Sequence, residues 1–291
     1  MRRFIYNKVW ALPLVLSLVL SGCSDDDYLG GHSVKDGAGV QMTLTGEINA
    51  QSEPSLAWAE GDVIGVAASS GLYDASVRNR EYVCDADGKT FVNVSGLPMY
   101  VKGNVKIVAY YPFVGTDGGE QTIQLNTLDQ DNITDFLFAR AENVNKENGS
   151  NVNLVFDYAL ARVRFNITVP DGEVITTCRI TGLAQQATAD PYTLDLTLDA
   201  PEDLVVTGTN IKTLSLKLIP QEISETPEIP AQLVLIGTKR SYVIDLSGLS
   251  LAEGEVKIAN VDASDGVATI EFVPNGAAWD DSGAGGDYSS N

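Results

Sequence analysis

Apolar and polar residues alternate with a period of two along much of this chain. Val163, Phe165, Ile167 and Val169 alternate with Arg162, Arg164, Asn166 and Thr168. Leu194, Leu196 and Leu198 alternate with Asp195, Thr197 and Asp199, and Leu214, Leu216 and Leu218 with Ser215 and Lys217. This period sends one face into a core and the other into water, as in a half-buried strand. Asp87-Gly88, Asp117-Gly118, Asp171-Gly172 and Asp265-Gly266 separate the runs and supply the positive φ of tight turns. No long window carries a helical period, although Leu125 to Ala139 allows a short helical turn. The fold class expected is all-β, with tandem antiparallel β-sandwich domains.

The pattern changes at both ends. Arg2, Arg3 and Lys8 precede an uncharged apolar run from Val9 to Leu20, too short to span a bilayer and of signal-peptide length. Leu20-Ser21-Gly22-Cys23 resembles a lipobox, which implies cleavage before Cys23 and acylation of that residue. Each buried methylene contributes roughly 0.8 kcal/mol, so two or three chains hold a protein on a membrane durably. Ser24, Asp25, Asp26 and Asp27 resemble the acidic export signal of Bacteroidetes surface lipoproteins, and also suit a solvated, self-repelling tether. The organisation expected is a signal peptide over 1–22, a tether over 23–37, and sandwich domains over 38–158 and 159–274. The first domain contains a polar surface loop from Glu142 to Asn153. A flexible tail over 275–291 has Trp279 and Tyr288 as its large side chains.

Charge narrows the partners. Loss of residues 1–22 removes Arg2, Arg3 and Lys8 and no acid, leaving 16 basic against 39 acidic residues, formally −23. Such a surface repels phosphate backbones, so nucleic acid is not an expected partner. Cys84 and Cys178 are 94 positions apart and read as two buried free thiols rather than a pair. His32, the only histidine, sits beside Gly30 and Gly31 in the tether, where it offers no scaffold for Ser-His-Asp or Cys-His catalysis or for zinc. No phosphate-binding glycine motif or CxxC occurs. Asp85-Ala86-Asp87-Gly88 lacks the spaced Glu of a calcium loop and reads as a β-turn. No enzyme activity, metal or cofactor is expected.

Five blocks, in order, carry a family resemblance. Trp58-Ala59-Glu60-Gly61-Asp62-Val63-Ile64-Gly65-Val66 is the first. Ala109-Tyr110-Tyr111-Pro112-Phe113, Asp135-Phe136-Leu137-Phe138-Ala139 and Leu154 to Val163 follow, and Pro274 to Gly286 with Trp279 closes the series. With the lipobox, these blocks resemble the Bacteroidales fimbrillins, the Mfa-like and FimA-like type V pilins. Read physically, Gly61-Asp62 is a turn before a buried strand, Trp58 covers one end of a sandwich, and Pro112 ends a strand.

The resemblance implies two transthyretin-like domains, export as a surface lipoprotein of the outer membrane, and assembly with other pilin subunits. It implies removal of the first strand by an Arg- or Lys-specific protease and filling of the groove by a neighbour's strand. The candidate exchangeable strand runs from Val40 to Ile48, with Val40, Met42, Leu44 and Ile48 on one face, interrupted by Gly46. The following loop, Asn49 to Ala57, has no Arg or Lys. Lys35, the only basic candidate cleavage site before Arg78 in the mature chain, lies upstream of the strand. Two readings follow: an anchor or accessory subunit at the membrane that keeps its first strand, which is favoured, or a polymerising or tip subunit processed by a protease of other specificity. Host or bacterial surface ligands are further candidate partners. The alternative is a glycan-binding surface lipoprotein of a nutrient-uptake system, with Tyr73, Tyr100, Tyr110, Tyr111, Trp279 and Tyr288 as candidate stacking residues.

Overall fold

The computed structural model describes residues 40–49, 57–70, 73–96, 99–101, 103–119, 121–147, 151–224, 228–273 and 288–290. Cys23, Ser24 to Asp27, His32, Lys35 and Trp279 lie outside them. All regular structure among the described residues is strand. The N-terminal half contains β1 (Val40–Gln41), β2 (Thr43–Ile48), β3 (Val63–Ser70), β4 (Tyr73–Cys84), β5 (Thr90–Asn93), β6 (Tyr100–Val101), β7 (Val105–Tyr111), β8 (Ile123–Asn126), β9 (Leu137–Val144) and β10 (Asn151–Tyr158). The C-terminal half contains β11 (Ala161–Thr168), β12 (Ile175–Thr181), β13 (Gln186–Ala189), β14 (Leu196–Leu198), β15 (Leu204–Gly208), β16 (Thr213–Leu218) and β17 (Gln221–Glu222). It continues with β18 (Gln232–Gly237), β19 (Ser241–Asp245), β20 (Ser250–Leu251), β21 (Val256–Asp262), β22 (Thr269–Phe272) and β23 (Tyr288–Ser290).

Three cores organise these strands. The first half closes into a barrel in the order β10-β2-β5-β4-β3-β7-β9, filled by Leu44, Ile64, Val66, Ile107, Leu154 and Phe156. In the second half, sheet β16-β11-β21-β22 and sheet β19-β18-β12-β15-β23 share a sandwich-like core that includes Val163, Phe165, Leu214, Leu216, Leu233 and Ile244. Between them lies a three-stranded sheet, β14-β13-β8, to which both halves contribute. Its core joins Val108, Tyr110, Phe136 and Phe138 to Ala187, Leu194 and Ile219.

Where β7 and the start of β9 pass between the barrel and the joint they are buried on both faces, so Val105 to Tyr111 and Phe136 to Ala139 are almost continuously apolar. In β7, Ile107 and Ala109 face the barrel while Val108 and Tyr110 face the joint. Leu137 and Ala139 likewise face the barrel, and Phe136 and Phe138 face the joint. One stretch of chain crosses all three cores: Leu154, Phe156 and Tyr158 fill the barrel, Ala159 and Leu160 the joint, and Ala161, Val163 and Phe165 the sandwich.

Polar contacts lock the joint. Thr127 N–H donates to Gln185 O at 2.9 Å, and Thr127 Oγ1 donates to Gln185 Oε1 at 2.8 Å. Gln130 Nε2 donates to Lys217 O at 3.0 Å while its Oε1 accepts Lys217 N–H at 3.0 Å, occupying the edge of β16 as a strand would. Lys217 pairs with Asp135 at 2.5 Å and Arg140 with Glu253 at 2.8 Å.

The structure departs from the sequence expectations at several points. Two pairings are parallel, β10 with β2 and β11 with β21, so the sheets are not uniformly antiparallel. Residues 127–136 form a loop rather than a helical turn. Asn126 Oδ1 captures Leu128 N–H and Asp129 O captures Asn132 N–H, local bonds that compete with a helix. The ends of the polar segment Glu142 to Asn153 are strand rather than loop, residues 142–144 belonging to β9 and 151–153 to β10. Leu194 turns at φ +62 because Asp190 holds Tyr192 N–H and Leu194 N–H, and Leu198, 43% exposed, is not core. Tyr288–Ser290, placed in the flexible tail by sequence, pairs with β15.

Candidate functional site

The first strand is a stave of the barrel. Thr43 to Ile48 run parallel to Asn151 to Phe156 on one side. On the other, Leu44 and Thr45 lie antiparallel to Phe91 and Thr90. Met42 and Leu44 are buried, Ile48 is half-buried, and Met42 N–H donates to Met99 O at 2.8 Å. Val40 and Gln41 pair with Val101 and Tyr100. Sequence reasoning treats Gly46 as a break in the apolar face. The structure makes it part of the seat: a Cβ there would lie 2.8 Å from Phe91 Cε2, 3.2 Å from Phe156 Cε2 and 3.2 Å from Trp58 Nε1. Trp58 packs edge-on against Phe91, Phe156 and Tyr111, with centroids 5.2, 5.0 and 5.3 Å away. The strand is thus clamped over an aromatic cluster.

Two of the family-like blocks are each other's partners. Gly61 turns at φ +92, and Asp62 Oδ2 accepts Ala59 N–H at 2.8 Å, which sets Trp58 over the barrel. Asp62 Oδ1 accepts the Tyr111 hydroxyl at 3.2 Å. Gly65 seats Tyr110, since a Cβ on Gly65 would fall 2.2 Å from Tyr110 Cε1. The Tyr110 hydroxyl donates to Asn79 Oδ1 at 2.7 Å and accepts Val114 N–H at 3.2 Å. Tyr110 is fully buried in the joint, whereas Tyr111 is half-buried and packs on the barrel core. Glycines inside strands mark close approaches of this kind, a signal that could have identified both seats beforehand.

Beside the first strand a cleft of about 320 Å³ opens where β2 and β5 diverge, lined by Met42, Tyr82, Phe91 and Val92 among others. Burial pushes Tyr82 up to about 12, and burial followed by the Asp62 charge raises Tyr111, so both remain neutral phenols. Cys84 and Cys178 are free and lie buried in separate cores, the barrel and the sandwich. Asp85 to Gly88 form a turn in which Asp87 accepts Lys89 N–H, Thr90 N–H and the Thr90 hydroxyl. Among the described residues no three His, Cys, Asp or Glu side chains gather as a metal site. Of the sequence-predicted site residues, the structure places Leu44 and Ile48 on β2 and Met42 in the one-residue break just before it. Val40 belongs to the adjoining β1, and Cys23, Ser24 to Asp27 and Lys35 are outside the described residues.

Fold and site define an all-β, sandwich-like protein whose most specialised geometry is a closing strand on an aromatic seat. The chain belongs to the fimbrillin-like family, whose model matches residues 49–270. Solved structures repeat the fold. A candidate cell adhesion protein from Bacteroides uniformis aligns with a TM-score of 0.55 and 18% identity, covering 81% of this chain and 96% of that one. One from Bacteroides ovatus aligns with a TM-score of 0.55 and 21% identity, covering 81% and 97%. The tip fimbrial protein Mfa3 of Porphyromonas gingivalis, truncated at its C terminus, aligns with a TM-score of 0.52 and 8% identity, covering 81% and 99%. No curated protein matches the chain.

Proposed function

We propose that this chain is a structural, adhesive subunit of type V fimbriae, with no enzymatic role, that joins other pilin subunits by β-strand exchange. The observation that carries this reading is the position of the first strand. It is a single stave, held by parallel pairing to β10 and by a short antiparallel pairing to β5. Its withdrawal would uncover the backbone edges of β5 and β10 and the seat around Leu44 and Gly46. An extended segment with alternating apolar residues fits such a groove through main-chain hydrogen bonds and pocketed side chains. Membership of the fimbrillin-like family and the adhesive and fimbrial descriptions of the structural neighbours support the same reading.

On this reading residues 38–158 and 159–274 are two transthyretin-like domains welded at the joint. Residues 1–22 are a signal peptide, Cys23 carries the lipid that anchors the chain in the outer membrane, and Ser24 to Asp27 direct it to the cell surface. No Arg or Lys lies between Ile48 and Trp58, so an Arg- or Lys-specific protease leaves the first strand attached, as suits an anchor or accessory subunit, and exchange here displaces that strand without cutting it. Cleavage at Lys35 would release it from lipid with the strand in place.

Mass spectrometry of the mature N terminus tests retention: a start at Cys23 or just after Lys35 is expected, and a start beyond Ile48 overturns it. Strand exchange is tested on a chain beginning at residue 50, offered a peptide of residues 40–48. Binding is expected, and its loss in a Leu44→Asp peptide. A truncated chain that folds yet binds neither peptide overturns the exchange.

A further inference from the structure

We propose that the cleft at the joint is a binding site for a neutral pyranose sugar. The proposal goes beyond strand pairing and uses none of the same residues. The cleft has a volume of about 240 Å³, and Leu125, Phe136 and Leu160, all buried members of the joint core, form its apolar floor. Asn126, Asp129, Asn132 and Thr134 stand around it.

The rim is built to hold its polar groups still. Asn126 Oδ1 is fixed by Leu128 N–H at 2.9 Å, which leaves its amide hydrogens as donors. Asn132 Nδ2 donates to Asp129 Oδ2 at 2.9 Å, which leaves Asn132 Oδ1 as an acceptor. The loop carrying these residues is anchored to the C-terminal half through Gln130 and Lys217 and through Thr127 and Gln185. The site is therefore preformed, and ligand binding need not order the loop.

The chemistry selects the ligand. Fixed amide donors and acceptors above an apolar floor match vicinal hydroxyls above the C–H face of a sugar ring. The rim contains no Lys or Arg, carries Asp129 and belongs to a chain of formal charge −20, so carboxylates and phosphates are disfavoured. A single ring suits the volume.

The test is titration of the whole mature chain with methyl pyranosides of glucose, galactose, mannose and N-acetylglucosamine, followed by calorimetry and saturation-transfer NMR. Glucuronate and inorganic phosphate serve as anionic probes. Saturable binding of at least one neutral sugar is expected, weakened about tenfold in Asn132→Ala. Thr134→Trp, which fills the cleft from an exposed position, is expected to abolish binding at an unchanged melting temperature. Failure of every neutral sugar to saturate, binding that survives Thr134→Trp, or tighter binding of either anion overturns the proposal. None of these results bears on the first strand, so strand exchange stands or falls separately.

Discussion

At the scale of single residues, the molecule depends on two glycines that accept aromatic rings. Tyr110 cannot retreat from Gly65, because its hydroxyl is tied to Asn79 and Val114. Gly65→Ala is expected to lose about 1–3 kcal/mol through overpacking, read by urea denaturation; a loss under about 0.5 kcal/mol sinks this account. A second residue-scale effect concerns acid. Burial raises the Glu173 carboxyl, but hydrogen bonds from Lys239 N–H, Thr238 Oγ1 and Val174 N–H outweigh it, leaving its pKa below the ordinary Glu value. A carboxylate depressed in the folded state stabilises above its unfolded pKa, and that contribution fades as pH falls through the folded value. The stability gap between wild type and Glu173→Gln should therefore shrink on acidification, and a gap independent of pH contradicts it. Third, burial pushes the Cys178 thiol up to about 12 and also raises Cys84, with Asp62 and Asp87 adding to the latter. Neither should react with iodoacetamide in the folded protein at pH 8, whereas both should after denaturation; stoichiometric labelling of native protein would show the cores to be open.

Among elements, the first strand decides whether the barrel is closed. Leu44 is fully buried at the centre of that stave, so Leu44→Ala is expected to lose about 2–5 kcal/mol. The same substitution should raise hydrogen exchange in β2 and in the facing parts of β5 and β10 before it does so in the sandwich. A loss below about 1 kcal/mol, or exchange that rises evenly everywhere, would show that the strand does not close a cooperative unit. The pattern of the strand was readable: Met42 and Leu44 point inward as their alternation implies. Its neighbours were not readable, because pairing partners 45 to 47 residues away on β5 and 108 residues away on β10 leave no local mark. The helical turn allowed over Leu125 to Ala139 failed for a related reason. Asn126, Gln130 and Asp129 spend their side chains and backbone on local and cross-joint bonds that a periodicity count does not see.

In the whole molecule, the shared joint couples the two halves. Phe136 and Phe138 pack with Ala187, Leu194 and Ile219 in one core, and salt bridges and amide pairs flank it. A single calorimetric transition is expected rather than two. Phe165→Ala, in the sandwich core, should lose about 3–5 kcal/mol and lower the melting of the barrel with it. Barrel signals that melt at the wild-type temperature in this variant would show the halves to be independent.

The alternation of apolar residues and the Asp-Gly turns determined by themselves that this chain is built of strands. All four turn glycines, Gly88, Gly118, Gly172 and Gly266, take the positive φ expected of them. These are local properties, fixed by side-chain periodicity and backbone sterics within a few residues. Only the tertiary structure decided that the first strand runs parallel to β10, that Gly46 and Gly65 are seats for rings, and that two halves share a third core. Those features arise from contacts between residues far apart in the chain, where shape and hydrogen-bond satisfaction, not local preference, select one pairing among many.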